Sequence, residues 1–385
     1  MKILWVSNAP WTKTGYGRAT DAVTAQMAAD GHEIHIVGCY GIQGGIVDLE
    51  DGRIVHPPSN YDLWGNDVVA DYHAELGTDF VLIHRDIWVN DSRLGDAVPL
   101  AAWFPVDQEP LGANTHGPLG TTRWPATMSR WGQRVAKDAG FAVDYLPHSF
   151  DPASYFYGRA PEKRAELFGG AVPEDAFLIS IVAANKGFPS RKAWPEMLEA
   201  AAVFLRDHDD AYLYLHTNVT HKDGGPDLLR VLSLYNAPMN RVVMLHPFIE
   251  TFGFDDGKMG DVYRASDVLL NTSYAEGFGI PILEAQACGT PVIVTEFSAM
   301  PEILFNGHSV VGQAWMNANY GHWMVPDVED IRGRLELARA SKGTSGAEER
   351  SQEMAAVLAE EWTHTAVYQS HWKPWLGRIA AELGI

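Results

Sequence analysis

Two glutamates, Glu276 and Glu284, bracket a glycine-containing loop and the start of a helix in the string EGFGIPILEAQACGTPVI. Gly277 and Gly279 let the backbone approach a ligand without a Cβ clash. The N–H groups at a helix start favour a phosphate or a sugar oxygen. Two carboxylates at this separation do not easily share one proton transfer, but each can bind a pair of hydroxyls, as in a sugar and a ribose. The alternative is a tight turn with two solvated glutamates.

The surrounding residues predict the elements that hold this loop. The apolar run at 268–270 is typical of a strand buried on both faces of a parallel sheet. Pro281 suits the start of a helix, Gly289 suits the left-handed residue that ends one, and 292–294 predict the next strand. The segment is therefore predicted to be a strand–helix–strand unit whose loop lies at the carboxyl ends of the strands, where open α/β sheets bind ligands.

This string, with the flanking pieces VYRASDVLLNTS and EFSAMPEI, resembles the Glu-x7-Glu signature of the retaining, nucleotide-sugar-dependent glycosyltransferases of the GT-B fold, in the large family four. The resemblance implies that Glu276 holds hydroxyls of the donor sugar and that Glu284 binds the nucleotide ribose. The residues that it places along the sugar and the phosphates are Gly277, Phe278, Gly279 and Ile280.

A basic pair extends the expected donor site. Arg191 and Lys192 come just before a helix that is predicted over about 194–206. Two cations beside a helix N-terminus form a strong diphosphate site, and the family has a basic pair at this place. The alternative is a pair of solvated side chains. The resemblance also puts the loop that contains Phe248 and Ile249 against the nucleotide base.

Polar residues also follow the apolar strands of the N-terminal half. The first strand runs into a loop with Gly15 and Gly17, which suits close approach to a phosphate and resembles the family's loop over the donor diphosphate. It is not the dinucleotide fingerprint, because the third glycine position is Thr20. His84 and Asp107 follow later strands, where a cleft is expected. Asp107 stands where many relatives carry a histidine, and His84 is either a hydrogen-bonded structural histidine or a site residue.

Length and composition predict two domains. The 385 residues exceed one typical core, and the resemblance implies an α/β protein of GT-B fold, with two Rossmann-like domains facing each other across a cleft. We expect the domains at 1–165 and 166–355, with a C-terminal helix at 356–385 that returns to the N-terminal domain. Two cysteines, the lack of a secretory signal pattern and the lack of a long apolar span predict a cytoplasmic protein without a transmembrane segment.

The formal net charge of −20 disfavours unspecific binding to nucleic acid or to an anionic membrane. One stretch, 110–137, departs from this balance. It contains no Asp or Glu but has Arg123, Arg130, Arg134 and Lys137, together with two tryptophans. The stretch is either an exposed helix face or a contact surface for an anionic acceptor.

Together these features predict transfer of a sugar from a nucleotide diphosphate sugar, UDP- or GDP-linked, to a hydroxyl acceptor, with retention by resemblance. Cations and helix N-termini can stabilise the departing diphosphate, so we expect neither a metal nor a resident cofactor. Two alternatives are a transferase acting on a hydroxylated base in DNA, held by the 110–137 stretch, and a non-catalytic sugar-nucleotide-binding protein.

Overall fold

The fold is that of a computed structural model, which describes residues 1–59, 61–220, 224–245 and 253–385. The chain divides into two compact units. The first comprises Met1–Ser149, Asn317–Gly321 and His364–Ile385, and the second comprises Phe150–Met316 and His322–Thr363. The division at Ser149 precedes the predicted junction, and the domain boundaries at 165 and 355 stay a prediction.

An eight-stranded sheet forms the centre of the first unit. Its strands are β1 Lys2–Ser7, β2 Glu33–Gly38, β3 Val47–Asp48, β4 Ile54–His56, β5 Phe80–His84, β6 Leu100–Phe104, β7 Trp124–Thr127 and β8 Asp144–Tyr145. They lie in the order β3-β4-β2-β1-β5-β6-β7-β8, and all pairs are parallel except β3 with β4. The chain order changes direction between β1 and β5, which marks the ligand-binding edge of such a sheet.

Helices cover this sheet because their apolar faces need burial. The central strands β1, β5 and β6 are apolar and buried almost throughout, as expected when both faces are covered. The helices are Gly15–Ala29, Val69–Leu76, Leu94–Ala97, His116–Thr121 and Arg130–Asp138, with short 3₁₀ segments at Ile87–Val89 and Ala113–Thr115.

The C-terminal tail packs into the first unit, as the fold prediction requires. It consists of the helices His364–Val367 and Lys373–Leu383, joined by a π-helical segment at Tyr368–Trp372. The Trp372 ring is buried, with its centroid 4.8 Å from that of Trp103 and 6.1 Å from that of Trp5. This burial of aromatic surface holds the tail against the sheet.

A six-stranded parallel sheet forms the centre of the second unit. Its strands are β9 Phe177–Val182, β10 Ala211–His216, β11 Val242–Met244, β12 Val268–Asn271, β13 Val292–Thr295 and β14 Gly307–Val310. They lie in the order β11-β10-β9-β12-β13-β14, so the chain order changes direction between β9 and β12. An antiparallel hairpin, β15 Gly312–Met316 and β16 His322–Pro326, follows.

Seven helices of the second unit lie within the described residues. They are Arg164–Leu167, Trp194–Asp207, Leu228–Leu234, Asp256–Ala265, Ile280–Ala287, Val328–Ser341 and Ser345–Glu361, with 3₁₀ segments at Pro161–Lys163, Met239–Arg241 and Met300–Ile303. The helix Trp194–Asp207 buries its apolar face in a hydrophobic core cluster, against residues of β9 and β10. The α/β architecture with two Rossmann-like units confirms the predicted fold class.

A buried ion-pair network stabilises the start of β9 and β12. Asp267, with a side chain 1% exposed, accepts from Arg164 at 2.8 Å, from Arg159 at 2.5 Å and from Lys342 at 3.3 Å. It also accepts the backbone N–H of Leu178 in β9. A buried carboxylate needs such partners because an uncompensated charge is costly away from water.

Candidate active site

The loops that follow β9, β12 and β13 lie side by side because these three strands are neighbours in the sheet. The loop after β9 carries Arg191 and Lys192, the loop after β12 carries Glu276, and the loop after β13 carries Ser298. All strand pairs here are parallel, so the loops share one edge. That edge is the place where the strand order changes direction, the usual ligand-binding position in open α/β sheets.

Glu276 joins the first two loops through ion pairs. Its Oε2 lies 3.0 Å from Nη1 of Arg191, and its Oε1 lies 2.5 Å from Nζ of Lys192. Arg191 Nη1 also donates to the carbonyl of Ala275. Sequence reasoning placed all three side chains in the donor site, and the structure brings them into direct contact.

The charge state of Glu276 follows from this arrangement. Burial of the carboxylate by itself raises the pKa, but the positive charges of Lys192 and Arg191 outweigh it, and the pKa of Glu276 falls to about 2. The side chain is therefore an anion at neutral pH. With two cations around one carboxylate, the cluster carries a net charge of about +1, which favours an anionic ligand.

Two serines that sequence reasoning did not select also hold Glu276. Ser273 donates from Oγ to Glu276 Oε1 at 2.6 Å, and the backbone N–H of Glu276 donates to Ser298 Oγ at 2.9 Å. Both serines are buried. A signal was available, since Ser273 ends the flanking piece VYRASDVLLNTS and Ser298 lies in the flanking piece EFSAMPEI.

The glycine loop enters its helix as the sequence predicts. Gly279 has a φ of +103°, a backbone conformation that favours glycine, and the helix Ile280–Ala287 begins at the next residue. Gly277 and Phe278 are buried, and the Phe278 ring lies 6.0 Å from that of Trp362. Phe278 thus anchors the loop by packing.

Glu284 is the fifth residue of that helix, and its side chain is buried. Tyr263 donates from its hydroxyl to Glu284 Oε2 at 3.2 Å. The ribose contact stays a prediction. Phe248 and Ile249, predicted to lie against the base, are outside the described residues.

The N-terminal glycine loop lies after β1 in the first unit. Thr14 caps the helix Gly15–Ala29 by accepting the N–H of Gly17 at 3.1 Å. A Cβ on Gly17 would lie 1.9 Å from Thr12 Oγ1 and 2.5 Å from Thr12 O, so a glycine is needed there for packing within the loop itself. Gly15 is exposed at the helix start, where N–H groups favour an anion.

His84 ends β5 and is completely buried. Its ring stacks on Trp103, with centroids 4.1 Å apart, and neither ring nitrogen has a hydrogen-bond partner within the described part of the chain. Burial, and to a smaller extent the neighbouring His148, holds the pKa of His84 well below 6.5, so the imidazole is neutral. The geometry is that of an aromatic core histidine rather than a hydrogen-bonded one. Asp107 is partly exposed in the loop after β6.

Two of the four cations in the basic stretch 110–137 pair with carboxylates. Arg134 pairs with Glu109 at 2.8 Å and with Asp138 at 3.3 Å, and Arg123 lies 3.5 Å from Glu382. Arg130 stacks over the Tyr145 ring at 4.0 Å. The two ion pairs reduce the local positive field that a DNA strand would need.

The described residues offer neither a cluster of metal ligands nor a membrane-spanning helix. Within 1–59, 61–220, 224–245 and 253–385, no group of three or more His, Cys, Asp or Glu side chains is placed to hold a metal ion. No helix among those residues has the length and apolar character to cross a membrane.

Comparison with known proteins agrees with this geometry. Residues 188–334, which contain Arg191, Lys192, Glu276 and Glu284, match the sequence profile of the family described as glycosyl transferases group 1. This segment is similar to the group 1 glycosyl transferases. A D-inositol 3-phosphate glycosyltransferase from Arthrobacter sp. is 29% identical over 167 residues, which are 43% of this chain and 37% of that protein. The chain thus spans less than two fifths of that relative.

Solved structures resemble the chain over nearly its whole length. Sucrose-phosphate synthase from Thermosynechococcus elongatus superposes with a TM-score of 0.76 at 16% identity, covering 99% of this chain and 100% of that one. A second structure, described as trehalose-6-phosphate from E. coli bound with UDP-2-fluoro glucose, superposes with a TM-score of 0.64 at 13% identity. The superposition covers 100% of this chain and 99% of that one. At these sequence identities the likeness shows the fold alone. That fold is GT-B.

Proposed function

We propose that this protein is a glycosyltransferase that moves a sugar from a UDP- or GDP-sugar to a hydroxyl of a small molecule or glycan, with retention at the anomeric carbon. The observation that carries the proposal is the buried, ionised Glu276 in contact with Arg191 and Lys192 at the switch point of the second sheet. The family match over 188–334 supports it.

Arg191 and Lys192 are the groups that stabilise the departing diphosphate. Their side chains are 31% and 22% exposed, so both lie at the edge of the protein interior. A guanidinium and an ammonium can each donate to more than one acceptor, so the same pair can hold Glu276 and a diphosphate together. Negative charge on the diphosphate grows as the glycosidic bond breaks, and preorganised cations bind that charge most tightly in the transition state.

Glu276 acts in this proposal by holding donor-sugar hydroxyls rather than as a covalent nucleophile. Its Oε1 accepts from Lys192 and Ser273, and its Oε2 accepts from Arg191. A carboxylate with both oxygens in charged or hydroxyl hydrogen bonds is a weak nucleophile. The acceptor oxygen therefore bonds to the anomeric carbon on the face that the diphosphate leaves, the bond from that carbon to the phosphate oxygen breaks, and the acceptor proton passes to the leaving phosphate oxygen.

The proposal does not require a metal ion, because the two cations supply the positive charge that a divalent ion would bring to the diphosphate. The relatives guide the choice of substrates. One is named for D-inositol 3-phosphate, and one similar structure holds a UDP-sugar analogue. UDP-glucose and a phosphorylated cyclitol are therefore sensible first probes.

The test is release of nucleoside diphosphate from UDP-glucose, UDP-N-acetylglucosamine and GDP-mannose, with candidate hydroxyl acceptors, in excess EDTA. We expect release and a mass-shifted acceptor with one donor, and their loss in Glu276→Gln but not in Glu329→Gln. Glu329 is a matched control because it pairs with Arg332 on the surface. Binding of donors without turnover would instead indicate a sugar-nucleotide-binding protein.

A further inference from the structure

The loop around Glu276 is held from two sides. On one side the backbone N–H of Tyr274 donates to the carbonyl of Arg191 at 2.8 Å, and Arg191 donates back to the carbonyl of Ala275. On the other side Ser298 accepts the N–H of Glu276, and the N–H of Ala299 donates to the carbonyl of Glu276 at 3.4 Å. The main chain of Glu276 is therefore set by the loop after β13.

Ser298 has an unusual backbone conformation. Its φ is +56°, in the left-handed region that non-glycine residues seldom adopt. The residue is 3% exposed, and its hydroxyl reaches the N–H of Glu276 at 2.9 Å. Residues kept in such conformations are concentrated at functional sites, where the surrounding structure enforces them. In this conformation the Ser298 hydroxyl meets the Glu276 main chain.

Ser273 acts on the side chain rather than on the backbone. Its hydroxyl donates to Glu276 Oε1 at 2.6 Å, and the same oxygen accepts from Lys192. Ser273 is completely buried. A short hydrogen bond from a buried hydroxyl to a carboxylate fixes the rotamer as well as the charge.

From these contacts we infer that Ser273 and Ser298 are positioning residues for Glu276, Ser298 through its main chain and Ser273 through its carboxylate. The inference rests on the proposed function, since it names the residues that orient the sugar-holding carboxylate. Because neither hydroxyl is assigned a contact with the donor, removing one is expected to act through Glu276. A displacement of about 1 Å in such a group is enough to lower turnover by about a hundredfold.

The variants are Ser273→Ala and Ser298→Gly. Glycine keeps the left-handed backbone at 298 accessible and removes only the hydroxyl. The control is Ser180→Ala, because Ser180 is also completely buried in this unit and its hydroxyl pairs with that of Ser266 instead of contacting Glu276. If the three variants have similar unfolding midpoints, an effect confined to Ser273→Ala or Ser298→Gly reflects positioning of Glu276 rather than general destabilisation.

The first measurement needs no substrate. Glutamate labelled with ¹³C at Cδ gives the titration of Glu276, assigned by the signal that disappears in Glu276→Gln. We expect Ser273→Ala to raise the midpoint by roughly one pH unit, since a hydrogen bond to the ionised form is lost. An unchanged midpoint overturns the role of Ser273, whatever reaction the protein performs.

The second measurement compares binding and turnover. UDP, UDP-glucose, GDP and GDP-mannose are titrated by calorimetry, and the pair that the unaltered protein binds is used for the variants. We expect affinity for the bare diphosphate to change less than twofold and kcat to fall on the order of ten- to a hundredfold in Ser298→Gly. Parental turnover in Ser298→Gly overturns its role. Absence of any transfer by the unaltered protein refutes the proposed function but leaves the titration of Ser273→Ala to decide its own question.

Discussion

Replacing Glu276 with glutamine should strengthen binding of a bare nucleoside diphosphate, although it should abolish transfer. In the folded protein the Glu276 carboxylate takes up part of the charge and of the hydrogen-bonding capacity of the cations that we assign to the diphosphate, so it weakens their attraction for a diphosphate bound beside it. Glutamine has nearly the same shape but no charge. The substitution therefore removes a competing anion without opening a cavity.

The size of the effect follows from the ionisation of Glu276. Its pKa falls from the ordinary 4.5 to about 2, which corresponds to roughly 3 kcal/mol of net preference for the charged form. A diphosphate gains part of this free energy when the carboxylate no longer competes. We expect a gain of about 1.4 kcal/mol or more, a tenfold fall in Kd for UDP or GDP.

The sugar nucleotide should respond differently. It loses hydrogen bonds from sugar hydroxyls to a charged acceptor, worth about 1.5–3 kcal/mol, which offsets the gain at the diphosphate. Calorimetry of the diphosphate and of its sugar nucleotide, at 50 and 200 mM salt, gives the ratio of the two affinities. The control Glu329→Gln should leave both affinities unchanged.

A weaker or unaltered affinity of Glu276→Gln for the bare diphosphate would refute the reasoning. It would mean that Arg191 and Lys192 serve only to neutralise Glu276. The diphosphate would then bind elsewhere, and the assignment of both cations to the leaving group would be wrong.

Three further predictions concern binding and stability. Glu284→Ala should weaken nucleotide binding at least tenfold, because the expected ribose contact is lost, and it should affect kcat at saturating donor less. Unchanged affinity for the nucleoside diphosphate would contradict the assignment. Asp267→Asn should lower the free energy of unfolding of the second unit by about 3–5 kcal/mol, because it leaves the buried guanidinium of Arg164 uncompensated. Asp91→Asn, which breaks an exposed pair with Arg93, should leave the midpoint of a denaturant titration nearly unchanged. Burial, with the nearby charges of Arg18 and His364, lowers the pKa of His148 from 6.5 to about 3. The unfolded chain therefore binds that proton more tightly, and the free energy of unfolding declines as pH falls from 6.5 towards 3. His148→Gln should flatten this decline, and an equally steep slope in the variant would show that other groups cause it.

Local sequence patterns were enough to predict the elements of the donor site. Strands β12 and β13 begin at the predicted residues and extend the predicted runs by one residue. The helix Ile280–Ala287 lies between Gly279 and Gly289, whose φ values are +103° and +86°. These features are local: apolar runs, a proline near a helix start and glycines in left-handed conformations depend on neighbouring residues.

The pairing of the charged groups depends instead on contacts between distant parts of the chain. Arg191 and Glu276 are far apart in the sequence and meet because β9 and β12 are neighbours in the sheet, and strand order depends on hydrogen bonds between distant segments. The local charge balance indicated a basic stretch at 110–137, but Arg123 pairs with the carboxylate of Glu382 in the C-terminal tail. The hairpin β15–β16 was likewise not predicted. Pairing and packing across long sequence separations are set by the whole fold, so a linear pattern names candidate site residues but not the partners that fix their charge and position.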